Sequence, residues 1–218
     1  MRRGLPTAIG VGIRRGADAF QPALYPEEEA HLGPRATERR RFYFALGRAA
    51  ARDALAELGV APVAIGRGSA GEPVWPDGIV GAITHTGDLA VVMVGWRSAY
   101  GGLGVDLERL TPGLSARAAR LVCTPAERAW VGDGDHATRR GTMLFSAKEA
   151  VFKALYPIER IWLGFSDAEL AWQPERCAFE ARLLKSASAA HPIGAVLQVQ
   201  CTLTDAEVLS TTYALPAG

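Results

Sequence analysis

The chain has 218 residues, of which 49% are hydrophobic and 22% are charged, and its formal net charge is +1 at pH 7. This length and apolar content predict a folded globular protein with one large domain or two small ones. So small a net charge gives no general attraction for nucleic acid or for a membrane surface, and it leaves anion binding to local clusters. We therefore expect neither nucleic acid nor a membrane as a partner.

The expected location is the cytoplasm. No apolar run approaches the ~20 residues of a membrane span, and the opening MRRGLPTAIGVGIRRGADAF lacks a convincing signal-peptide core. Cys123, Cys177 and Cys201 are widely spaced and lack the paired spacing of metal sites, so reduced thiols are expected.

The first half predicts helices followed by strands. After a loop-like opening, two helices are expected with an interruption near Gly33-Pro34, the second running over 37–58 with Thr37 as its cap and Gly59 as its stop. Turns rich in Gly and Pro follow. The stretches IVGAITHTG and LAVVMVGW then predict two strands joined by a polar turn.

The second half repeats this order. GGLGVDLERL predicts a strand, 114–130 a helix broken at Thr124-Pro125, and TMLFSAKEAVFKAL a strong helix ending before Pro157. Alternating segments after it predict an antiparallel sheet. The predicted fold is α+β, with two similar subdomains packed as a pseudo-dimer, 1–100 and 101–218, each with helices against a small, mostly antiparallel sheet.

The strong helix contains an acid in an unusual setting. At about 100° per residue, Glu149 falls in an aromatic stripe between Lys148 and Lys153. One interpretation is an ordinary surface pair of Glu149 with Lys153. The other is a carboxylate that needs a partner, since an acid held against apolar surface is usually paired, protonated or bound to a metal.

The stretch GVDLERL offers that partner. Asp106 and Glu108 are two residues apart, and on a strand such residues point to the same face. They form either an exposed acidic face with Arg109 nearby or two oxygen ligands of Mg²⁺, for which Glu149 would be the third. Magnesium fills its remaining positions with water and phosphate oxygens, so this set predicts a phosphate-bearing substrate.

Basic and polar residues upstream also suit phosphate. Thr84 and His85 end an apolar strand, where they are either structural or phosphate contacts. Arg41, Arg48 and Arg52 share a helix face beside Arg40. That face is either solvated, with acidic partners, or a phosphate site for guanidinium groups.

The motifs RRFYFALGRAAARDALAELG, GEPVWPDGIVGAITHTGDLAVV, GVDLERL, LFSAKEAVFKALYP and WLGFSDA occur in this order over 39–168. Together they resemble the 4'-phosphopantetheinyl transferases of the Sfp class, in the branch that includes the enterobactin-synthetase component D enzymes. GVD-x-E paired with F-S-x-K-E-A-x-x-K is the specific part of the resemblance.

The resemblance implies two similar α+β subdomains, with coenzyme A and Mg²⁺ in the cleft between them. The first subdomain would contact the nucleotide of coenzyme A, and the second would supply the metal ligands and catalytic acids. The implied reaction moves the phosphopantetheine arm of coenzyme A to a serine of an apo acyl or peptidyl carrier protein and releases 3',5'-adenosine bisphosphate. The implied carriers belong to siderophore or secondary-metabolite synthesis, and the implied state is a monomer.

By matching position, the resemblance makes Asp106, Glu108 and Glu149 the metal ligands. Glu149 is also the base for the serine, directly or through a water molecule, and Lys153 stabilises charge on the transferred phosphate. The implied coenzyme A contacts are Arg40, Arg41, Arg48, Thr84, His85, Lys148 and Lys153.

One position departs from the family pattern, since Ala70 stands where relatives in this branch often have a lysine. Arg67 in the same loop is the expected substitute. Two alternatives to the transferase stay open from the residues: another Mg-dependent phosphoryl or nucleotidyl enzyme, and a degenerate module that binds coenzyme A or a carrier protein without catalysis.

Overall fold

The structure is a computed structural model that describes residues 8–16, 23–134 and 136–216. It contains two main antiparallel sheets, each covered by a long helix. This arrangement is α+β and confirms the predicted class.

The first sheet has three antiparallel strands in the order β1-β5-β4, and the long helix α2 packs on it. Thr37 caps α2 by accepting a hydrogen bond from the Arg40 amide, as predicted. A short hairpin, β2 with β3, lies between α2 and β4 in the chain. The bounds are β1 Ile9–Arg15, α1 Pro26–Glu29, α2 Glu38–Glu57, β2 Gly66–Arg67, β3 Pro73–Val74, β4 Ile79–Thr86 and β5 Leu89–Trp96.

The second sheet has five antiparallel strands in the order β6-β10-β9-β8-β7, and α5 packs across it. The helix broken at Thr124-Pro125 and the closing antiparallel strands are confirmed. The bounds are β6 Gly102–Arg109, α3 Ala116–Val122, α4 Pro125–Val131, α5 Ala137–Glu159, β7 Ala168–Gln173, β8 Ala178–Leu183, β9 Val196–Leu203 and β10 Glu207–Ala214.

Both halves pack helix on strand in the same close way. A Cβ on Gly12 of β1 would lie 1.8 Å from the Ala50 carbonyl oxygen of α2, and one on Gly104 of β6 would lie 1.9 Å from that of Ala150 in α5. The contact therefore requires glycine on the strand in each half. Position 50 of α2 thus corresponds to position 150 of α5.

The two sheets meet where β4 lies beside β6, over a shared apolar core that includes Val91, Met93, Val105 and Leu107. Each half also has a core of its own between helix and sheet. The predicted division at residue 100 falls in the connection between β5 and β6, and it stays a prediction.

Three expectations about elements were wrong. The opening contains strand β1, so each long helix is preceded by a strand of its own sheet and the order is not helix first. Helix α5 begins at Ala137 and runs through Pro157 to Glu159. Pro157 is tolerated because it stands in the last turn, where only one intrahelical hydrogen bond is lost before Arg160 ends the helix in a left-handed conformation.

Among the described residues, no helix combines the length and apolar character that a membrane span requires.

Candidate active site

Asp106 is the centre of a polar cluster at the junction of the sheets. It is 4% exposed. Its Oδ1 accepts hydrogen bonds from the Lys153 ammonium (2.7 Å) and the Thr84 hydroxyl (3.3 Å). Its backbone carbonyl accepts one from the Ser146 hydroxyl at 3.3 Å. Strands β4 and β6 and helix α5 therefore converge on one carboxylate.

The other oxygen of Asp106 tests whether the site fits a cation. Oδ2 is buried and has no hydrogen-bond partner, which is costly for a carboxylate oxygen unless a cation or water occupies the position. In the described part of the chain, no group of three or more acidic, His or Cys side chains is already arranged to hold a metal ion. The donor set of hard oxygens fits Mg²⁺, and the predicted ligand set stays a prediction.

Glu108 and Glu149 share the electrostatic environment of Asp106. Burial, together with the negative charges of Asp106 and Glu149, raises the pKa of the Glu108 carboxyl to about 7, and Lys153 opposes this shift. Burial also raises the pKa of Glu149, and Asp106 acts in the same direction. A bound cation would favour the charged forms of Glu108 and Glu149 and so oppose these shifts.

Glu149 and Lys153 do not form the ordinary surface pair that was one interpretation of their spacing. The Lys153 ammonium donates to Asp106 and to the Val105 carbonyl oxygen, and its side chain is 25% exposed. Helix α5 thus directs Lys153 toward β6 and leaves Glu149 half-buried beside it.

His85 and Thr84 lie at the end of β4 as predicted. Thr84 is buried, and its hydroxyl also accepts a hydrogen bond from the Leu107 amide, so it joins the two sheets. The His85 ring stacks on Tyr43 with centroids 5.2 Å apart. Burial lowers the pKa of His85, and the positive charge of Lys153 lowers it further, so the imidazole is neutral at pH 7.

His85 lines a cavity of about 430 Å³ together with several arginines, and we call this space the basic cavity. Arg40 lines it and is exposed, and Arg67 lines it from the β2–β3 hairpin. Arg67 is the residue expected to substitute for the lysine that Ala70 replaces. Arg41, in contrast, lines a different surface cavity. The remaining lining residues include Thr37, Arg39, Tyr43, Phe44 and Arg48.

A second cavity, of about 230 Å³, lies between the β2–β3 hairpin and α5. Its lining includes Ala70, Glu149 and Lys153 together with the aromatic residues Phe152 and Trp162. Trp162 is 64% exposed, and its ring packs edge-on against Phe152. We call this space the apolar cleft.

Arg48 and Lys148 are both bonded within the protein, and their roles as coenzyme A contacts stay predictions. Arg48 is 5% exposed and donates to the carbonyl oxygens of Ile65 and Gly66, so only part of its surface faces the basic cavity. Lys148 is 4% exposed and pairs with the buried Glu127. Arg52 of the predicted basic face pairs with buried Glu28 in the same way. Internal carboxylates hold Lys148 and Arg52, which helical periodicity does not reveal.

Tyr43 and Ser146 are residues of the site that sequence reasoning missed. Tyr43 stacks on His85, and Ser146 holds the backbone at Asp106. Ser146 could have been noticed because it is a small polar residue on the apolar face of the predicted helix.

Two family models match the chain and together span its two halves. The 4'-phosphopantetheinyl transferase N-terminal domain matches residues 27–95, and the 4'-phosphopantetheinyl transferase superfamily matches residues 102–206. Among similar proteins, the 4'-phosphopantetheinyl transferase Npt of Nocardia iowensis is 37% identical over 166 residues, covering 73% of this chain and 74% of that protein. The chain belongs to the 4'-phosphopantetheinyl transferase superfamily.

Other members of the superfamily show similar agreement. The 4'-phosphopantetheinyl transferase PptT of Mycobacterium tuberculosis is 38% identical over 165 residues, covering 75% of this chain and 72% of that protein. Enterobactin synthase component D of Escherichia coli is 34% identical over 144 residues, covering 62% of this chain and 67% of that protein. The expected family and its enterobactin-synthetase branch are thus confirmed as relatives.

Proposed function

We propose that this chain transfers the 4'-phosphopantetheine arm of coenzyme A to a serine hydroxyl of an acyl or peptidyl carrier protein, with Mg²⁺, and releases 3',5'-adenosine bisphosphate. The observation that carries the proposal is the convergence of Asp106, Lys153 and Thr84 at the sheet junction. On either side of it lie a basic cavity and an apolar cleft, which suit the two chemically different ends of coenzyme A.

Asp106, Glu108 and Glu149 would hold the magnesium ion. When bound, Mg²⁺ would neutralise negative charge on the pyrophosphate oxygens of coenzyme A. The partnerless Oδ2 of Asp106 and the raised pKa values of Glu108 and Glu149 support this assignment.

Glu149 would accept the proton of the carrier serine. A serine hydroxyl is a weak nucleophile, so a positioned base is needed as its oxygen attacks the phosphorus atom next to the pantetheine arm. A carboxylate with a raised pKa is a stronger base than an exposed one. Lys153, held by Asp106, would stabilise the charge that develops on the phosphate oxygens.

The first half would bind the nucleotide end of coenzyme A. Arg40 and Arg67 line the basic cavity with free surface for phosphate, and His85 and Thr84 stand between that cavity and Asp106. The pantetheine arm would then extend past Glu149 into the apolar cleft. We place the enzyme in the cytoplasm as a monomer, with siderophore or secondary-metabolite carriers as substrates.

Glu149→Gln tests the role of the base, because glutamine keeps the size of the side chain and removes its basicity. We expect kcat for transfer to fall by about 10²- to 10⁴-fold, while calorimetry still detects binding of coenzyme A. Glu159→Gln, a change at the exposed end of the same helix, is the control and should leave kcat unchanged. Full transfer by Glu149→Gln, with Mg²⁺ still bound, would refute the assignment.

A further inference from the structure

A buried ion pair lies one residue away from the proposed base. The side chains of Lys148 and Glu127 are 3% and 0% exposed, and Nζ lies 2.7 Å from Oε2. The ammonium also donates to the carbonyl oxygens of Phe165 and Ala168. An ammonium has three donors, and all three are therefore occupied within the protein.

Both oxygens of the Glu127 carboxylate are also hydrogen-bonded within the protein. Oε2 of Glu127 also accepts a hydrogen bond from the Thr124 amide at 2.6 Å, and Oε1 accepts one from the Leu170 amide at 2.7 Å. The pair therefore joins the start of α4, the middle of α5 and strand β7.

The first half also has a buried carboxylate, Glu28, but its ion-pair partner is Arg52 and not Arg48. Glu28 accepts hydrogen bonds from the Tyr25 and Ile65 amides, both at 3.0 Å. Arg48 occupies the position of α2 that corresponds to Lys148, since each precedes by two residues the alanine that meets the strand glycine. Arg48 likewise donates to two backbone carbonyls. The next residue is Ala49 in the first half and Glu149 in the second.

We propose that Lys148 and Glu127 are a positioning pair for the transfer reaction, which fixes the turn of α5 that carries Glu149 against β7. The proposal rests on the proposed function, in which Glu149 is the base. Phe165 and Ala168, whose carbonyls Lys148 holds, line the same cavity of about 180 Å³ as Glu149. The pair thus connects the helix turn that carries Glu149 to the residues that line the cavity beside it.

Loss of either partner leaves the other charge buried and uncompensated, so the backbone around position 149 must shift to let water in. A displacement of about 1 Å in a catalytic group lowers the rate by about 100-fold. Coenzyme A binding does not depend on Lys148 in this account, because no donor of its ammonium is available to a phosphate.

Lys148→Met and Glu127→Gln test the pair by steady-state kinetics. Each should lower kcat by about 10- to 100-fold with little change in KM for coenzyme A. The double variant should be no worse than either single variant, because no unpaired charge remains. Lys148→Arg should retain more activity than Lys148→Met, since Arg48 already makes the equivalent carbonyl contacts.

Glu28→Gln is the matched control, because it breaks a buried ion pair, Glu28 with Arg52, in the half without the base. It should destabilise the protein while kcat is retained. A raised KM in Lys148→Met but not in Glu127→Gln would show a phosphate ligand and overturn the positioning role. Equal loss of kcat in Glu28→Gln and Glu127→Gln would show that lower stability alone explains the loss, and it would overturn the positioning role.

Hydrogen exchange separates this proposal from the proposed function. Amides of α5 around Glu149 should exchange faster in Lys148→Met and Glu127→Gln than in the unchanged protein. Unchanged exchange there would overturn the positioning role even if transfer is observed. An unchanged protein that transfers nothing to any carrier would instead overturn the proposed function, while faster exchange would still support the structural role of the pair.

Discussion

Arg40 and Arg41 are neighbours in the chain, but they line different cavities. If the basic cavity binds the nucleotide end of coenzyme A, Arg40→Ala removes a charge-assisted contact and should raise KM for coenzyme A by about 10-fold. Arg41→Ala should have a smaller effect. Steady-state kinetics on the two variants decides the point, and a larger effect from Arg41→Ala would place the nucleotide elsewhere.

His85 gives a prediction about pH. Burial and Lys153 lower its pKa from 6.5, with Asp106 opposing, so the ring gains its proton only below that pH. A phosphate bound beside it favours the protonated form. The pKa of His85 should therefore rise when coenzyme A binds. By linkage, the affinity for coenzyme A should increase as pH falls from the raised pKa of the bound state to the lower pKa of the free state.

An NMR titration with and without coenzyme A measures this pKa directly. His191 is the internal control, because burial lowers its pKa too, but it is bonded to Ser188 in the loop between β8 and β9. Its pKa should stay the same. A His85 pKa that coenzyme A leaves unchanged would remove this residue from the phosphate site.

At the residue scale, alternation along a strand predicts which acids lie together, whereas the contacts of the cations could not be predicted. Asp106 and Glu108 share a strand face, which alternation predicts. Arg48 and Lys148 were assigned to phosphate because a basic residue near a site suggests a ligand. The structure pairs Lys148 with Glu127 and bonds Arg48 to the carbonyl oxygens of Ile65 and Gly66. No local sequence pattern predicts these contacts.

At the element scale, the approach of α5 to β6 depends on Gly104, where a Cβ would lie 1.9 Å from the Ala150 carbonyl oxygen. Gly104→Ala must push the helix away from the strand and should lower the free energy of unfolding by about 1–3 kcal/mol or more. It should also lower activity, because α5 carries Glu149 and Lys153. Gly33→Ala is the control, since no atom lies within 4 Å of its added Cβ. Equal stability of the two variants by chemical denaturation would contradict this account.

Elements were predictable where their periodicity was strong. Helix α2 and the β4–β5 hairpin follow from spacing, capping and glycine-bounded β-branched runs. Strand β1 was missed because Gly10 and Gly12, which its close packing on α2 requires, weaken the strand signal. The end of α5 was missed because a proline was taken to stop the helix before its last turn.

At the scale of the whole molecule, the two halves share one packing of helix on strand but carry different side chains at corresponding positions. Positions 50 and 150 meet their strands alike, yet the corresponding neighbours differ: Ala49 and Asp53 stand on α2 where Glu149 and Lys153 stand on α5. Asp53 pairs with Arg14. In the proposed reaction, the first half would supply the basic cavity and the second half the acids and Lys153, so neither half would suffice alone.

The most direct test of this account is the intact mass of apo carrier proteins, fatty-acid and peptidyl types, after incubation with the protein, coenzyme A and Mg²⁺. We expect a gain of one phosphopantetheine arm, which a chelator abolishes because Asp106, Glu108 and Glu149 then lack their cation. A gain that survives complete chelation would contradict the metal assignment. No gain on any carrier, from protein that still binds coenzyme A, would contradict the transferase itself.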